Sequence, residues 1–226
     1  MRWKVIDLFN ELVFPFVHEI KSIAVVGGGA SEPELEIFRG NSNLVIHYYG
    51  IDSNVGSHDF TYLDLNNSYL QKSGHTKTKY DLILCSQVLE HIWDVKQGLS
   101  ILVQLAADNG LIWVACPASN YAHGSPSYFS AGYQPELIEN LLEKERVEII
   151  AKGCFGSKRY YFMTHALQIW ATRNEHMSPL TFGFSRYFPR QILGRFIAMF
   201  RSVKIATVPR YATETYVLAR KTTSDQ

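Results

Sequence analysis

Three consecutive glycines, Gly27, Gly28 and Gly29, follow the short apolar run "SIAVV". Glycines placed after a buried strand let the backbone come close to a ligand. An acid, Asp52, with Ser53 beside it, follows about twenty residues later, the interval at which a carboxylate can meet ribose hydroxyls. A second acid, Asp64, and then Leu65 close another strand-like stretch, and Cys85, Ser86 and Gln87 end a third. Beyond them stand two imidazoles, His91 and His123, able to take or give a proton. A glycine turn with spaced acids at successive strand ends is the pattern of a site for a nucleoside-bearing ligand.

The residues after the glycines choose among such ligands. A phosphate loop of Walker type needs a lysine and a hydroxyl there, but the chain continues Ala30, Ser31, Glu32. A dinucleotide fingerprint would take Gly27 and Gly29 but finds Glu32 where the third glycine belongs. It would also set Glu32 and Glu34 against a pyrophosphate. A ligand without phosphate and with positive charge tolerates these acids. S-adenosylmethionine, with a sulfonium, an ammonium and one carboxylate, is such a ligand.

These residues need a scaffold that brings strand ends together. Residues 4 to 20 carry Val5, Leu8, Leu12 and Phe16 at helical spacing. "SEPELEIF" opens a helix, with Ser31 and Glu34 at capping-box spacing and Pro33 in the first turn. "NLVIHYYGID", "HDFTYLDL" and "YDLILCSQV" read as strands two to four. "DVKQGLSILVQLA" is a helix with Asp94 and Gln97 as a cap pair, and "NGLIWVACP" is a fifth strand after a turn signal. "QPELIENLLEKE" is a helix, "VEIIAKGC" a sixth strand, and "TETYVLARK" a last one. Strands alternating with helices imply an α/β, Rossmann-like, doubly wound and mostly parallel seven-stranded sheet with helices on both faces. In such a sheet ligands bind beyond the carboxyl ends of the strands, where all the candidate residues fall. The alternation fails over 154–211, which reads as a helical cap inserted for substrate. The whole chain, 1–226, then forms one domain that starts with an N-terminal helix over 1–20.

Composition narrows the class. Hydrophobic residues make up 46% of the 226 and charged ones 19%, so the chain can bury a core and is not disordered. The formal charge of +1 gives no global field for nucleic acid. No apolar run reaches the length of a bilayer span, and the first twenty residues lack a cleavage site. Cys85, Cys116 and Cys154 have no metal-ligand spacing and read as reduced thiols of a cytoplasmic protein.

The segment "YDLILCSQVLEHIWDVKQGLSILVQLAADNGLIWVACP", together with "HGSPSYFSAGYQPELIENLLEK", resembles class I S-adenosylmethionine-dependent methyltransferases of the small-molecule branch. The resemblance covers roughly residues 20 to 150. It implies that Gly27 to Gly29 pass the methionine tail and that Asp52, beside Ser53, takes the ribose hydroxyls. Asp64 and the Leu65 backbone would read the adenine edge, and Cys85 to Gln87 would lie near the sulfonium and amino group. The chain departs from the family at Val25, where an acid is usual, and at Ser31, where a third glycine is usual. Some relatives place a metal with Glu-x-x-Glu-His; this chain has Gln87 for the first acid, with Glu90 and His91 following, so no metal is expected. The implied reaction is methyl transfer to a small-molecule acceptor such as a sugar, a quinone or a lipid-linked hydroxyl. His123 is the first candidate base and His91 the second. The alternative is a catalytically degenerate domain of this fold that binds a partner or scaffolds a pathway; a nicotinamide oxidoreductase is more distant.

Several features have plainer readings. His91 suits a helix start, Asp64 suits a turn, and Cys85 suits a buried strand. Within "SRYFPRQILGRFIAMFRSV" a helix is read over 186–201, where Leu193, Phe196, Ile197 and Phe200 share a face among several arginines. That face reads as packed against the fold, with membrane-surface contact possible in principle but not favoured. Acceptor identity and oligomeric state are not legible.

Overall fold

The computed structural model describes residues 3–51, 61–66, 78–119, 127–156, 161–162 and 211–223. Helix α1 (Trp3–Val13) comes first, then β1 (Ser22–Val26), β2 (Val45–Gly50), β3 (Thr61–Tyr62) and β4 (Tyr80–Ser86). Helix α2 (Val95–Leu105), β5 (Ala106–Pro117), α3 (Pro135–Leu142), β6 (Val147–Phe155) and β7 (Glu214–Lys221) complete the order. The strands form one seven-stranded sheet in the order β3-β2-β1-β4-β5-β7-β6. β1 to β5 pair in parallel, whereas β7 lies antiparallel between β5 and β6. This is the doubly wound, mostly parallel sheet that the sequence pattern implies, with one strand reversed.

The central strands are apolar on both faces because both faces are covered. Alternate residues of β1 and β4 divide between two cores. Ala24, Val26, Ile83 and Cys85 pack with Leu99 and Leu102 of α2 and Ile138 and Leu142 of α3. Ile23, Val25, Leu82 and Leu84 pack on the other side with Val5, Phe9 and Val13 of α1. Trp113 of β5 anchors the second core: its ring meets Phe9 edge-on at 5.1 Å between centroids and stacks on Tyr216 at 5.7 Å. β2 and β6 run nearer the sheet's margins and accordingly alternate between exposed and half-buried residues.

The structure corrects several boundaries. The helix expected over 4–20 stops at Val13 and continues only as a 3-10 turn, Phe14–Phe16. Pro15 has no N–H to donate and disfavours helical geometry in the residue before it. The helix expected from "SEPELEIF" is a 3-10 segment, Pro33–Phe38, whose N-cap is Glu32 without a side-chain cap. The expected capping box does not form, because Glu34 is turned into the protein. At α2 the expected cap does form: Asp94 Oδ1 accepts from Gln97 N at 3.0 Å. The "NG" signal lies inside β5, where Asn109 takes a φ of +63° and the register with β4 shifts between Tyr80 and Leu82.

β6 ends and β7 begins at the same edge of the sheet as the carboxyl ends of β1 to β5. Thr213 N donates to Phe155 O at 2.7 Å, so the chain leaves and returns at one place. Most of the expected cap, residues 157–160 and 163–210, lies outside the described residues.

Candidate functional site

The site is built at the carboxyl edge by four neighbouring strands. Gly27 follows β1 with a φ of +73°, and its N–H donates to Tyr49 O of β2 at 2.8 Å. A Cβ on Gly27 would run into the Val88 side chain, so this turn admits only glycine. Gly29 O accepts from Glu32 N at 3.0 Å, closing the turn. The Glu32 side chain then folds over Gly28, where a Cβ would lie 2.7 Å from Glu32 Oε1.

Glu34 is wholly buried, and its Oε1 accepts from Ser86 Oγ at 2.9 Å. Because Val26 pairs with Cys85, Ser86 lies beside the start of the glycine turn. The next residue, Gln87, adopts a left-handed φ of +59°. Its backbone N donates to Ala115 O at 2.7 Å, and its side-chain amide donates to Glu214 Oε2 at 2.9 Å. The turn after β4 continues into a 3-10 segment, Leu89–His91, whose Glu90 is also wholly buried.

Residues 127–133 pack over this turn. Phe129 N donates to Glu90 O at 2.8 Å, Tyr133 N to Pro117 O at 2.8 Å, and Tyr133 Oη to Leu89 O at 3.3 Å. Thr215 Oγ1 donates to Tyr133 O at 2.7 Å, tying the loop to β7 as well. Burial, and then the nearby Glu90, push the Tyr128 hydroxyl above its ordinary pKa. Burial, with Glu90 and Glu214 adding to it, pushes the Cys116 thiol well up.

The residues singled out by sequence divide as follows. Gly27 to Gly29 and Ser86 and Gln87 meet at one spot. Cys85 is fully buried, and burial, then the nearby Glu90, pushes its thiol pKa well up. Asp64 closes its own turn by accepting from Asn66 N at 2.9 Å, and the Leu65 side chain is in the core. His91 donates from Nδ1 to Ser127 O at 2.5 Å and meets the Tyr128 ring edge-on, which in the neutral ring leaves the lone pair on Nε2. Asp52, Ser53 and His123 lie outside the described residues. Sequence reasoning missed Glu34 as a site residue, since its spacing from Ser31 imitates a cap. It also missed Glu214, for which no local pattern exists.

Among the described residues the charge of this edge is one-sided. The described residues there (27–34, 51, 63–66, 87–94, 118–119, 127–134, 156, 161–162 and 211–214) include Glu32, Glu34, Asp64, Glu90, Asp94 and Glu214, and no lysine or arginine. Such a set of acids opposes a pyrophosphate and fits a ligand carrying positive charge. Among the described residues no group of three or more His, Cys, Asp or Glu is placed to hold a metal ion.

Comparison with known proteins identifies the family. The family described as "Methyltransferase domain" matches residues 26–188, more than half of the chain. Comparison with curated proteins finds no match. Among solved structures, the [4+2]-cyclase SpnF superposes with a TM-score of 0.56 at 15% identity, over 97% of this chain and 80% of that one. Coclaurine N-methyltransferase bound to N-methylheliamine and SAH gives 0.56 at 12%, over 96% and 70%. A SAM-dependent methyltransferase from Archaeoglobus fulgidus gives 0.50 at 14%, over 98% and 95%. At these identities the superpositions speak for the fold, and the family match speaks for the class. The chain belongs to the methyltransferase domain family and is a class I S-adenosylmethionine-dependent methyltransferase.

Proposed function

We propose that this enzyme methylates a small-molecule acceptor, with a hydroxyl on a sugar, a quinone or a lipid-linked compound as the acceptor class. The observation that carries the cofactor site is the acidic edge around the glycine turn, without a described lysine or arginine. When bound, S-adenosylmethionine supplies a methyl group already activated by its sulfonium. The protein's part is therefore mostly proximity and alignment.

In this reading Gly27, Gly28 and Gly29 let the backbone approach the amino-acid tail, and Asp52 with Ser53 takes the ribose hydroxyls. Asp64 and the Leu65 backbone meet the adenine, while Cys85, Ser86 and Gln87 form the wall at the end of β4. The segment 154–211 covers the acceptor side; it leaves and re-enters the sheet at the site's edge, which supports this role. Tyr161 stands there, its Oη 3.5 Å from Ser119 Oγ and its ring edge-on to Tyr211 at 5.9 Å. His123 is the first candidate to take the acceptor's proton and His91 the second, the latter oriented by Ser127. We place the enzyme in the cytoplasm, without nucleic acid as a partner. No helix among the described residues is long and apolar enough to cross a membrane.

The test is titration of S-adenosylhomocysteine into the parent and Asp52→Ala. Two charge-assisted hydrogen bonds at ~1.5–3 kcal/mol each set the scale, so affinity should fall at least roughly tenfold with the fold intact. An Asp52→Ala variant that binds as tightly as the parent would overturn the assignment.

A further inference from the structure

We propose that a cavity at the amino ends of the strands is a second binding site. It takes a short-chain α-amino acid, its carboxylate on Arg220 and its ammonium on Asp81, Glu19 and Asp108. The cavity measures about 140 Å³ and is lined by Phe16, Glu19, Asp81, Arg220 and the stretch Asp108–Leu111. Asp81 is the second residue of β4, whereas Ser86 and the glycine turn stand at the carboxyl ends of β4 and β1. The cavity is therefore separate from the cofactor site.

A mismatch between neighbouring strands shapes it. β4 advances from Tyr80 to Leu82 while β5 advances from Ala106 to Leu111, so the chain between Ala106 and Leu111 leaves the ladder. Asn109 takes its φ of +63° in this excursion, and Gly110 is packed so closely that a Cβ would lie 2.8 Å from Tyr80 O. Arg220 of β7 stands in register with Glu148 of β6, yet the two form no ion pair. Its Cζ lies instead 4.9 Å from the centroid of the Phe16 ring. The ring covers one face of the guanidinium, whose donors lie in its plane. Among the described residues no carboxylate is within ion-pair distance of Arg220. Asp81 Oδ2 accepts from Lys21 N, Ser22 N and Ser22 Oγ at 2.9 Å each, and none of these bonds uses Oδ1.

The charges select the ligand. Three carboxylates against one guanidinium leave the lining net acidic, which opposes a phosphate or any simple anion. A simple cation would leave the half-buried guanidinium without an acceptor. A zwitterion satisfies both. A planar carboxylate takes two parallel bonds from a guanidinium, and an ammonium brings three donors to the acids. Size sets the length: a cavity of roughly 150 Å³ holds benzene, with about six heavy atoms, and alanine is of that size.

The test is an amide NMR titration of the whole chain with L-alanine, propionate and ethylammonium, the last two lacking the amine and the carboxylate in turn. L-Alanine should move the amides of Asp108 to Leu111 and of Arg220. It should bind at least roughly tenfold more tightly than either fragment, since each forgoes one set of charge-assisted bonds. Arg220→Gln should weaken alanine at least roughly tenfold. Asp108→Asn, a change at an exposed position, should give a smaller loss, and it carries the test if Arg220→Gln does not fold. Alanine also resembles the cofactor's own tail, so the titration is repeated with S-adenosylhomocysteine bound, and the same amides should still move. Shifts confined to Gly27 to Gly29 and removed by S-adenosylhomocysteine would overturn the proposal. So would a fragment that binds as tightly as alanine, variants that bind it as tightly as the parent, or amides of Asp108 to Leu111 that stay still at tens of millimolar alanine.

Discussion

The Gln87 side chain reaches across the end of β5 to donate to Glu214 Oε2 at 2.9 Å, joining residues 127 positions apart. Glu214 is the first residue of the reversed strand β7, paired there with Pro117 and Phe155. Gln87 holds a φ of +59° while making this bond. A left-handed conformation costs a non-glycine residue roughly 1–2 kcal/mol, so the bonds to Ala115 and Glu214 maintain a strained turn beside the glycine loop.

That relationship sets the first prediction. Gln87→Ala and Gln87→Gly both lose the Glu214 bond, but only glycine escapes the backbone strain. Gln87→Gly should be more stable than Gln87→Ala by about 1 kcal/mol in urea unfolding. Equal midpoints would show that the turn relaxes to an ordinary φ once the side chain is gone.

The second prediction concerns α1. Phe9 is wholly buried against Trp113, so Phe9→Ala removes a ring that nothing nearby can replace. The expected loss is about 3–5 kcal/mol, read from the denaturant midpoint at constant slope. A loss below about 1 kcal/mol, the scale of surface changes, would mean that the helix is not an integral layer of the fold.

Much of the scaffold was legible because its causes are local or periodic. β1 and β4 announce themselves as apolar runs, since strands covered on both faces have no polar side to show. The Asp94 cap needs only Gln97, three residues away, and so could be read directly. The misreadings have non-local causes. Ser31 and Glu34 stand at capping distance, but Ser86, far along the chain, claims Glu34. Glu214 enters the site only because β7 inserts between β5 and β6, a tertiary event with no trace in "TETYVLARK". Pro15 was visible, yet the apolar spacing through Phe16 masked its effect on α1.

The third prediction is a pH dependence. Cys85 and Cys116 are fully buried, and burial raises both thiol pKa values above those of the unfolded chain. Above the ordinary thiol value of ~8.5 the unfolded chain releases these protons and the folded chain keeps them. The native state then binds more protons, so stability must fall as pH rises from there. Each thiol should contribute a slope of up to about 1.4 kcal/mol per pH unit. Stability measured from pH 7.5 to 10 should decline, and Cys85→Ala should decline less steeply. Parallel slopes in the two proteins would show that Cys85 is accessible to base in the folded state.

The fourth prediction follows from the sign of the edge. Glu34, Glu90 and Glu214 surround the end of β4, and the described residues of this edge include no lysine or arginine. S-adenosylmethionine and S-adenosylhomocysteine differ by a methyl group and a positive charge. The charged ligand gains from these carboxylates, and a partly exposed unit charge near such groups is worth about 1 kcal/mol, or roughly fivefold in affinity. S-adenosylmethionine should therefore bind more tightly than S-adenosylhomocysteine at low salt. Salt screens this difference over about 10 Å at 0.1 M and 3 Å at 1 M, so the ratio should narrow as salt is added. Glu214→Gln should narrow it as well, since that carboxylate lies at the rim and its loss leaves the glycine turn in place. NADH, with a pyrophosphate that the same edge repels, should not bind at concentrations that saturate either compound. If S-adenosylhomocysteine binds more tightly at every salt concentration, the acidic edge does not face the sulfonium. The carboxylates at the end of β4 would then belong to the acceptor's side of the site.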